Sequence, residues 1–149
     1  MYPVKAAQNQ EEVNAIIELR YKILRQPWDQ PKDTASDHLE TSSVNAFISD
    51  EKGTVIACGR LQENENKIGQ IRYMAVDSDY QGKGLGKLIL IFLEERAKEL
   101  QLNKIELQAR ENALEFYKAN KYSIKEKSFL LWGIIQHYLM EKSLVRKDH

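Results

Sequence analysis

The chain has 149 residues, enough for one domain with a buried core, and its 42% apolar and 30% charged residues are those of an ordinary globular protein. Twenty-two basic residues balance twenty-two acidic ones, which argues against nucleic acid or an anionic membrane as the partner, since both reward a basic excess. No apolar run approaches the roughly 18 residues of a membrane helix. The start, MYPVKAAQNQEEV, lacks the basic-then-apolar pattern of a signal peptide, and a single cysteine, Cys58, rules out an internal disulfide. A cytoplasmic location is expected.

No repeat, low-complexity tract or linker interrupts the chain, so one domain over 1–149 is expected. Residues 2–7 read as a short first strand. Over 10–24, Val13, Ile16, Ile17, Ile23 and Leu24 keep helical spacing, and Pro27 and Pro31 end the helix. Residues 26–43 are polar, with Asp29, Asp33, Asp37, His38 and Glu40, and are expected to form a loop with room for one short helix. Strands follow over 44–49 and 54–61, joined by the turn signal Asp50-Glu51-Lys52-Gly53. A second hairpin at about 63–67 leads into a longer strand over 68–76.

Beyond the loop at 77–81 come Gly82, Gly84 and Gly86. A helix then runs from near Lys83 to about Leu100, with Leu85, Leu88, Ile89 and Phe92 on its buried face. A short strand over 104–109, an Asn-capped helix over 112–120 and two closing strands over 122–132 and 136–143 around Gly133 complete the chain. Antiparallel hairpins followed by a strand–helix–strand crossover specify a mixed α/β or α+β sheet with helices on its faces.

The segment Gln81-Gly82-Lys83-Gly84-Leu85-Gly86-Lys87 lies between a strand and a helix. Glycines there let the backbone approach a ligand and adopt φ values that other residues avoid. The free N–H groups and dipole of the helix's first turn suit an anion, and Lys83 and Lys87 add charge, so a phosphate or pyrophosphate is the natural guest. A mononucleotide P-loop would need Gly at 81 and Ser or Thr at 88, where this chain has Gln81 and Leu88. A dinucleotide fingerprint would need Gly at 87 and finds Lys87.

Gln81-x-x-Gly84-x-Gly86, preceded by Ile71-Arg72-Tyr73-Met74-Ala75-Val76, resembles the acetyl-CoA signature of the GNAT superfamily of N-acetyltransferases. Downstream, Asn112 and the pair Phe116-Tyr117, leading to the turn Lys121-Tyr122, resemble the family's second signature, with Lys-Tyr standing where Gly-Phe is usual. The flanks, Leu19-Arg20 to Leu24-Arg25, Asp37-His38 and Gly133 to Met140, are similar to the ElaA-like branch.

The resemblance implies a mostly antiparallel sheet of six to seven strands flanked by about four helices, with a splayed parallel strand pair that holds the pantetheine arm of acetyl-CoA. By that pattern, backbone groups of Met74, Ala75 and Val76 would pair with pantetheine. The N–H groups of Gln81, Gly82, Lys83, Gly84, Leu85, Gly86 and Lys87 would hold the pyrophosphate, and Asn112 and Phe116 would form the opposite wall. An N–H near Ala75 would face the thioester oxygen. Acetyl transfer would be direct, amine onto thioester in a ternary complex, with no metal, and Tyr117 stands at the family's usual place for the acid that protonates the departing thiolate.

The base is less defined. Some relatives carry a Glu where this chain has Gln70, which cannot serve. His137 has a suitable ordinary pKa, and Asp37, His38 and Glu40 are loop candidates. On the acceptor side Arg20, Arg60 and Arg72 are candidates for holding a carboxylate or phosphate, and Trp28 and Trp132 for lining a cleft. By analogy with relatives, residues 26–43 cover the acceptor and their acids would meet a cation. The acceptor is expected to be a small-molecule or peptide amine, and the resemblance allows a homodimer through the last strands. The alternative function is a catalytically inactive acetyl-CoA-binding sensor or interaction module.

Overall fold

Residues 2–144 of the computed structural model are described. Strand β1 (Lys5–Ala6) leads into α1 (Gln10–Arg20), which Asn9 starts by accepting the Glu12 N–H on its side-chain oxygen at 2.8 Å. Glu12 reaches back to the Gln8 N–H, one residue before the cap, at 2.7 Å and so fixes the chain's entry into the helix. The helical rise predicted to Leu24 is real, but its last turn, Tyr21–Arg25, is π-helical. Residues 26–43 hold three 3₁₀ turns, at Gln26–Trp28, Lys32–Ala35 and Glu40–Ser42, where one short helix was expected. Pro27 sits in the first of these turns, at a position where its missing N–H costs nothing.

Strands β2 (Val44–Ser49) and β3 (Val55–Asn64) are joined by the expected turn, in which the Asp50 carboxylate accepts the N–H groups of Lys52 and Thr54, each at 2.9 Å. A 3₁₀ turn at Glu65–Lys67 leads to β4 (Ile68–Val76). Helix α2 (Leu85–Glu99) crosses over to β5 (Lys104–Arg110), followed by α3 (Leu114–Ala119) and the hairpin of β6 (Ser123–Leu131) and β7 (Ile135–Ser143). Asn112 does not cap α3. It lies inside a 3₁₀ turn, Glu111–Ala113, whose own Leu114 N–H to Glu111 carbonyl bond begins the helix instead.

The strands form one seven-stranded sheet of order β1-β2-β3-β4-β5-β7-β6. Its neighbours are antiparallel except β4 and β5, which run parallel at its middle. Helix α1 covers one face, where Ile16 and Leu19 pack with Phe47, Cys58 and Ala75. The larger core lies on the other face, where Ile89, Leu90 and Leu93 of α2 meet Ile48, Leu61, Ile71 and Leu107. Covered on both sides, β3 is buried from Val55 to Gln62, and its sequence lacks the alternation of a one-sided strand. Leu88, expected on the buried face of α2, is 38% exposed; Leu90 and Leu93 take that face. No helix among the described residues is long and apolar enough to cross a membrane.

Candidate active site

The parallel pairing of β4 and β5 is short. It runs from Ile68 opposite Lys104 to Ile71 opposite Leu107, although β4 continues to Val76 and β5 to Arg110. Past Ile71 and Leu107 the strands part, leaving a gap through the sheet that opens towards the C-terminal ends of both. Ligands of open sheets bind at such strand ends. The Asp77 N–H is bonded to the Ile56 carbonyl of β3 at 2.8 Å. Alternation along the strand therefore turns the backbone groups of Val76, and of Met74 before it, towards the gap, while Ala75 between them pairs with Cys58.

The glycine segment stands at the mouth of this gap. Gly82 and Gly84 both have positive φ, +78° and +79°, and a Cβ at either would meet nothing within 4 Å. Among the described residues, no backbone N–H from Gln81 to Lys87 donates to a protein acceptor; the next, that of Leu88, bonds the Gly84 carbonyl at 3.2 Å. A run of unpaired donors at the positive end of a 15-residue helix is a cradle for an anion. Lys83 and Lys87 are exposed beside it. The pyrophosphate of a CoA molecule fits this donor set.

Helix α3 forms the facing wall. A Cβ built on Gly86 would lie 3.4 Å from Cζ of Phe116 and 3.7 Å from Cγ2 of Val76, so the start of α2 packs closely on both α3 and the end of β4. Tyr117 packs edge-on against Phe116 and Tyr122, with centroids 5.0 and 5.8 Å away. Tyr122 is anchored in turn by its hydroxyl, which donates to Glu94 of α2 at 2.8 Å. Burial pushes the Tyr117 phenol well above the usual tyrosine range. Asn112 is exposed on the turn before α3.

The α1 side of the gap is made of arginine. Tyr73 has φ +57° at a bulge in β4, where the β3 register slips between Cys58 and Arg60. That left-handed conformation costs about 1–2 kcal/mol for a non-glycine residue. It sets the Tyr73 ring among the guanidinium groups of Arg20 (4.4 Å), Arg72 (4.7 Å), Arg60 (4.9 Å) and Arg25 (5.7 Å). At 100° per residue, an α-helical continuation of α1 would hold Arg25 about 140° away from Arg20. The wider π turn brings both onto the same ring.

Two carboxylates from the 26–43 segment neutralise part of this cluster. Glu40 pairs with Arg20 at 2.5 and 3.0 Å; Asp37 pairs with both Nη atoms of Arg60 at 2.8 and 2.9 Å and with Arg72 at 3.0 Å. The Arg60 hydrogen bonds hold the Asp37 carboxyl down at about 2. Among the described residues the buried Nε atoms of Arg20 and Arg60 have no hydrogen-bond partner, and the Tyr73 ring is the electron-rich surface beside these guanidinium groups. Asp37 and Glu40 are thus committed to the chain's own arginines and do not greet a cation, and His38 is exposed on a turn.

His137 lies on β7 directly opposite Arg110 of β5. It is 5% exposed, stacks on Phe129 at 4.4 Å, and its Nδ1 is 3.0 Å from the Ile135 carbonyl. A carbonyl only accepts, so Nδ1 carries the proton and Nε2 the lone pair. Burial, with the Arg110 and Arg25 charges, lowers the His137 pKa and keeps the ring neutral. Trp132, in the β6–β7 turn, has the Arg25 guanidinium 5.4 Å from its ring. Gln70 is tied to Gln62 and Asn64.

A family model described as "Acetyltransferase (GNAT) family" matches residues 13–122. The chain belongs to the GNAT acetyltransferase family. It is 26% identical over 136 residues to the uncharacterized N-acetyltransferase YjcF of Bacillus subtilis (strain 168), covering 91% of this chain and 96% of that one. Among solved structures it superposes on Escherichia coli ElaA with a TM-score of 0.81 at 14% identity, covering 95% of this chain and 99% of that one. It superposes equally, at 0.81 and 12% identity, on an aminoglycoside 6'-N-acetyltransferase complexed with coenzyme A, covering 99% of each chain.

In this GNAT fold the glycine segment stands where β4 ends and Phe116 packs near Gly86, while Tyr117 is buried against Phe116 and Tyr122 and Asn112 is exposed on the turn before α3. Arg20 and Arg60 are wholly buried and paired, so of the three arginines suggested for an acceptor only Arg72, with its side chain 38% exposed, reaches the surface. Arg25, Arg110 and Tyr73 were missed. Nothing in the residues themselves marks them: Arg25 needs the π turn, Tyr73 the bulge, and Arg110 the β5–β7 register. A hollow of about 490 Å³ beside Asn66, Lys104, Glu141 and Lys142 lies at the closed end of the β4–β5 pair and plays no part in this site.

Proposed function

We propose that this GNAT chain is an acetyl-CoA-dependent N-acetyltransferase that acts on a primary amine by direct attack in a ternary complex. The observation that carries the reading is the run of acceptor-free N–H groups from Gln81 to Lys87 at the mouth of the β4–β5 gap. When bound, acetyl-CoA supplies an acetyl group activated as a thioester. The Gln81–Lys87 donors, the α2 dipole, Lys83 and Lys87 hold its pyrophosphate. The backbone of Met74 and Val76, with Ala75 between them, takes the pantetheine amides, and Asn112 and Phe116 close the facing wall. The Met74 or Val76 N–H polarises the thioester carbonyl.

Tyr117 gives its proton to the departing sulfur. Burial raises its pKa, so the phenol is protonated at working pH and has a proton to give, while the same shift makes it a weaker acid until the developing thiolate charge draws that proton. His137 receives the proton that the amine loses, its neutral ring and free Nε2 being the form a base requires. A covalent acyl-cysteine route has no support: Cys58 is fully buried, and burial pushes its thiol up to about 12.

The test is a calorimetric titration with acetyl-CoA of the wild type beside Gly84→Asp. An aspartate is strained at φ +79° by about 1–2 kcal/mol, a cost that a domain of this size should survive, and it puts a negative side chain into the cradle, so binding by the folded protein should weaken by at least about 100-fold. Wild-type protein that does not bind acetyl-CoA would overturn the reading. A panel of primary amines, followed by free-thiol release, then tests turnover; tight binding with no release from any amine would favour the binding-only module.

A further inference from the structure

The α1 side of the gap holds more positive charge than the chain's own acids neutralise. Four guanidinium groups surround Tyr73, and Arg110 reaches in from β5 to donate to the Leu24 carbonyl at 3.1 Å. Against these five cations the described residues set two carboxylates, Asp37 and Glu40. The chain as a whole is neutral, so the excess belongs to this place and not to the composition.

The excess falls on two residues. Arg20, Arg60 and Arg72 each have a carboxylate; among the described residues Arg25 and Arg110 have none. Arg25 donates to the peptide carbonyls of Thr34 at 3.2 Å and Leu24 at 3.1 Å and has the neutral Tyr73 side chain beside it, and Arg110 donates to Leu24. A carbonyl satisfies a donor without cancelling its charge. Yet Arg25 is only 9% exposed. Burial weakens the basicity of both, and for Arg110 the next cause is Arg25 itself. Nearby His137 is held neutral and adds no charge to relieve or worsen the balance. Close, half-buried cations with no counter-charge are costly to the fold, and they stand at the splayed ends of β4 and β5, Arg25 between the Tyr73 and Trp132 rings and Arg110 on the last residue of β5. That is the face opposite the glycine cradle, from which an acceptor would reach the gap.

We propose that Arg25 and Arg110 form an oxyanion subsite for the acceptor, so that the amine acetylated by this chain also carries a carboxylate or a phosphate. The proposal rests on the acetyltransferase reading and narrows its substrate class. Guanidinium groups with unused donors bind such oxyanions by charge-assisted hydrogen bonds, and the free Nη2 of Arg25 and the Nε and Nη1 of Arg110 have no protein acceptor among the described residues.

The experiment compares primary amines of matched length that end in a carboxylate, a phosphate monoester, a neutral amide or a second amine, read as kcat/KM from free-thiol release with saturating acetyl-CoA. The carboxylate or the phosphate member should exceed the amide by at least about tenfold, as one charge-assisted contact allows, with the diamine lowest; which of the two leads identifies the oxyanion. Arg110→Gln and Arg25→Gln should each bring that ratio to within about threefold of unity, and Arg25→Lys should keep part of it. Both glutamine variants should melt no lower than wild type, since each removes an unbalanced cation, whereas a purely structural arginine would lower the melting temperature. An amide or diamine turned over as well as the oxyanion members, or a ratio unchanged in both variants, would overturn the proposal.

A second measurement separates its failure from that of the acetyltransferase reading. Without any acetyl donor, the best oxyanion-bearing amine should raise the melting temperature of wild type but not of Arg110→Gln. That result with no turnover would sink the catalytic reading and keep the subsite; no shift would sink the subsite whatever the turnover.

Discussion

The two sides of the β4–β5 gap are built by different means. On the α2 and α3 side the working groups are backbone N–H donors, left free from Gln81 to Lys87 because glycines carry the chain through a left-handed turn into a helix. On the α1 side the working groups are long side chains from four separate elements: Arg20, Arg25, Arg60 and Arg72 around one aromatic ring, three of them paired with two acids, and Arg110 held by the Leu24 carbonyl. A cradle of backbone donors is tolerant of its surroundings and specific for a ligand shape. A cluster of buried charges is tied to the fold, and its balance decides stability as well as recognition.

The largest expected effect falls on the backbone-built side. Tyr117→Phe keeps the edge-on packing against Phe116 and Tyr122 and removes only the hydroxyl. Loss of a general acid should lower kcat by about 100-fold or more, while the dissociation constant for acetyl-CoA, measured by calorimetry, stays within about threefold of wild type. A kcat within a few-fold of wild type would return Tyr117 to a packing role.

On the other side the expected effect is on the fold. Glu40→Ala leaves the Arg20 charge, 0% exposed, without its carboxylate, although the Ala35 carbonyl and the Asn45 side chain still accept from it. Stranding a buried charge costs roughly 3 kcal/mol, or a drop of about 10 °C in melting temperature for a domain of this size. The folded fraction should still bind acetyl-CoA normally. The double change Arg20→Met with Glu40→Met should cost less than Glu40→Ala alone, since it removes the charge along with its partner.

The same contrast explains how much could be read from the sequence. The glycine segment and the Asn112 to Tyr117 stretch are local: their meaning lies in neighbouring residues, so the order of elements, the glycine turn into α2 and the short helix α3 were legible. Even the two turn signals, Asp50 to Gly53 and the break at Gly133, fell where the hairpins turn. The arginine cluster is assembled across the sheet. Arg25 reaches Tyr73 only because the last turn of helix one widens, and the helical spacing of Ile23 and Leu24 hides that widening. Asp37 and Glu40, read as loop acids free to meet a cation, turn inward because the buried Arg60 and Arg20 need them more than solvent does.

A smaller effect should appear in acid. Asp37 has an ordinary pKa of 3.8 and is held at about 2, chiefly by the Arg60 hydrogen bond. For Glu40, burial pushes upward, but the Arg20 hydrogen bonds and charge outweigh it and the net direction is also down. A carboxyl depressed in the folded state stabilises the fold above its unfolded pKa, and that stabilisation disappears as pH falls through the folded value. Between about pH 4 and pH 2, urea unfolding should therefore show a loss of about 2 kcal/mol from Asp37 alone. Asp37→Asn should flatten that limb of the curve while lowering stability at pH 7; an unaltered acid limb would mean that Asp37 does not carry the linkage.

The smallest effect asks whether the glycines serve the ligand or the fold. Gly86 lies in the first turn of α2 with an ordinary helical backbone, and a Cβ there would rest 3.4 to 3.7 Å from Phe116 and Val76, close but tolerable contacts. Helix propensity alone then predicts that Gly86→Ala stabilises the protein by about 0.5–1 kcal/mol. A chain kept for stability would carry alanine at this position. If the glycine is there to let the pyrophosphate settle onto the N–H groups, Gly86→Ala should melt about 2 °C higher yet bind acetyl-CoA roughly tenfold more weakly, because the added methyl narrows the floor between Phe116 and the donors. A variant that is more stable and binds as tightly as wild type would place the ligand's demand on Gly82 and Gly84 alone, where positive φ leaves no other residue so comfortable.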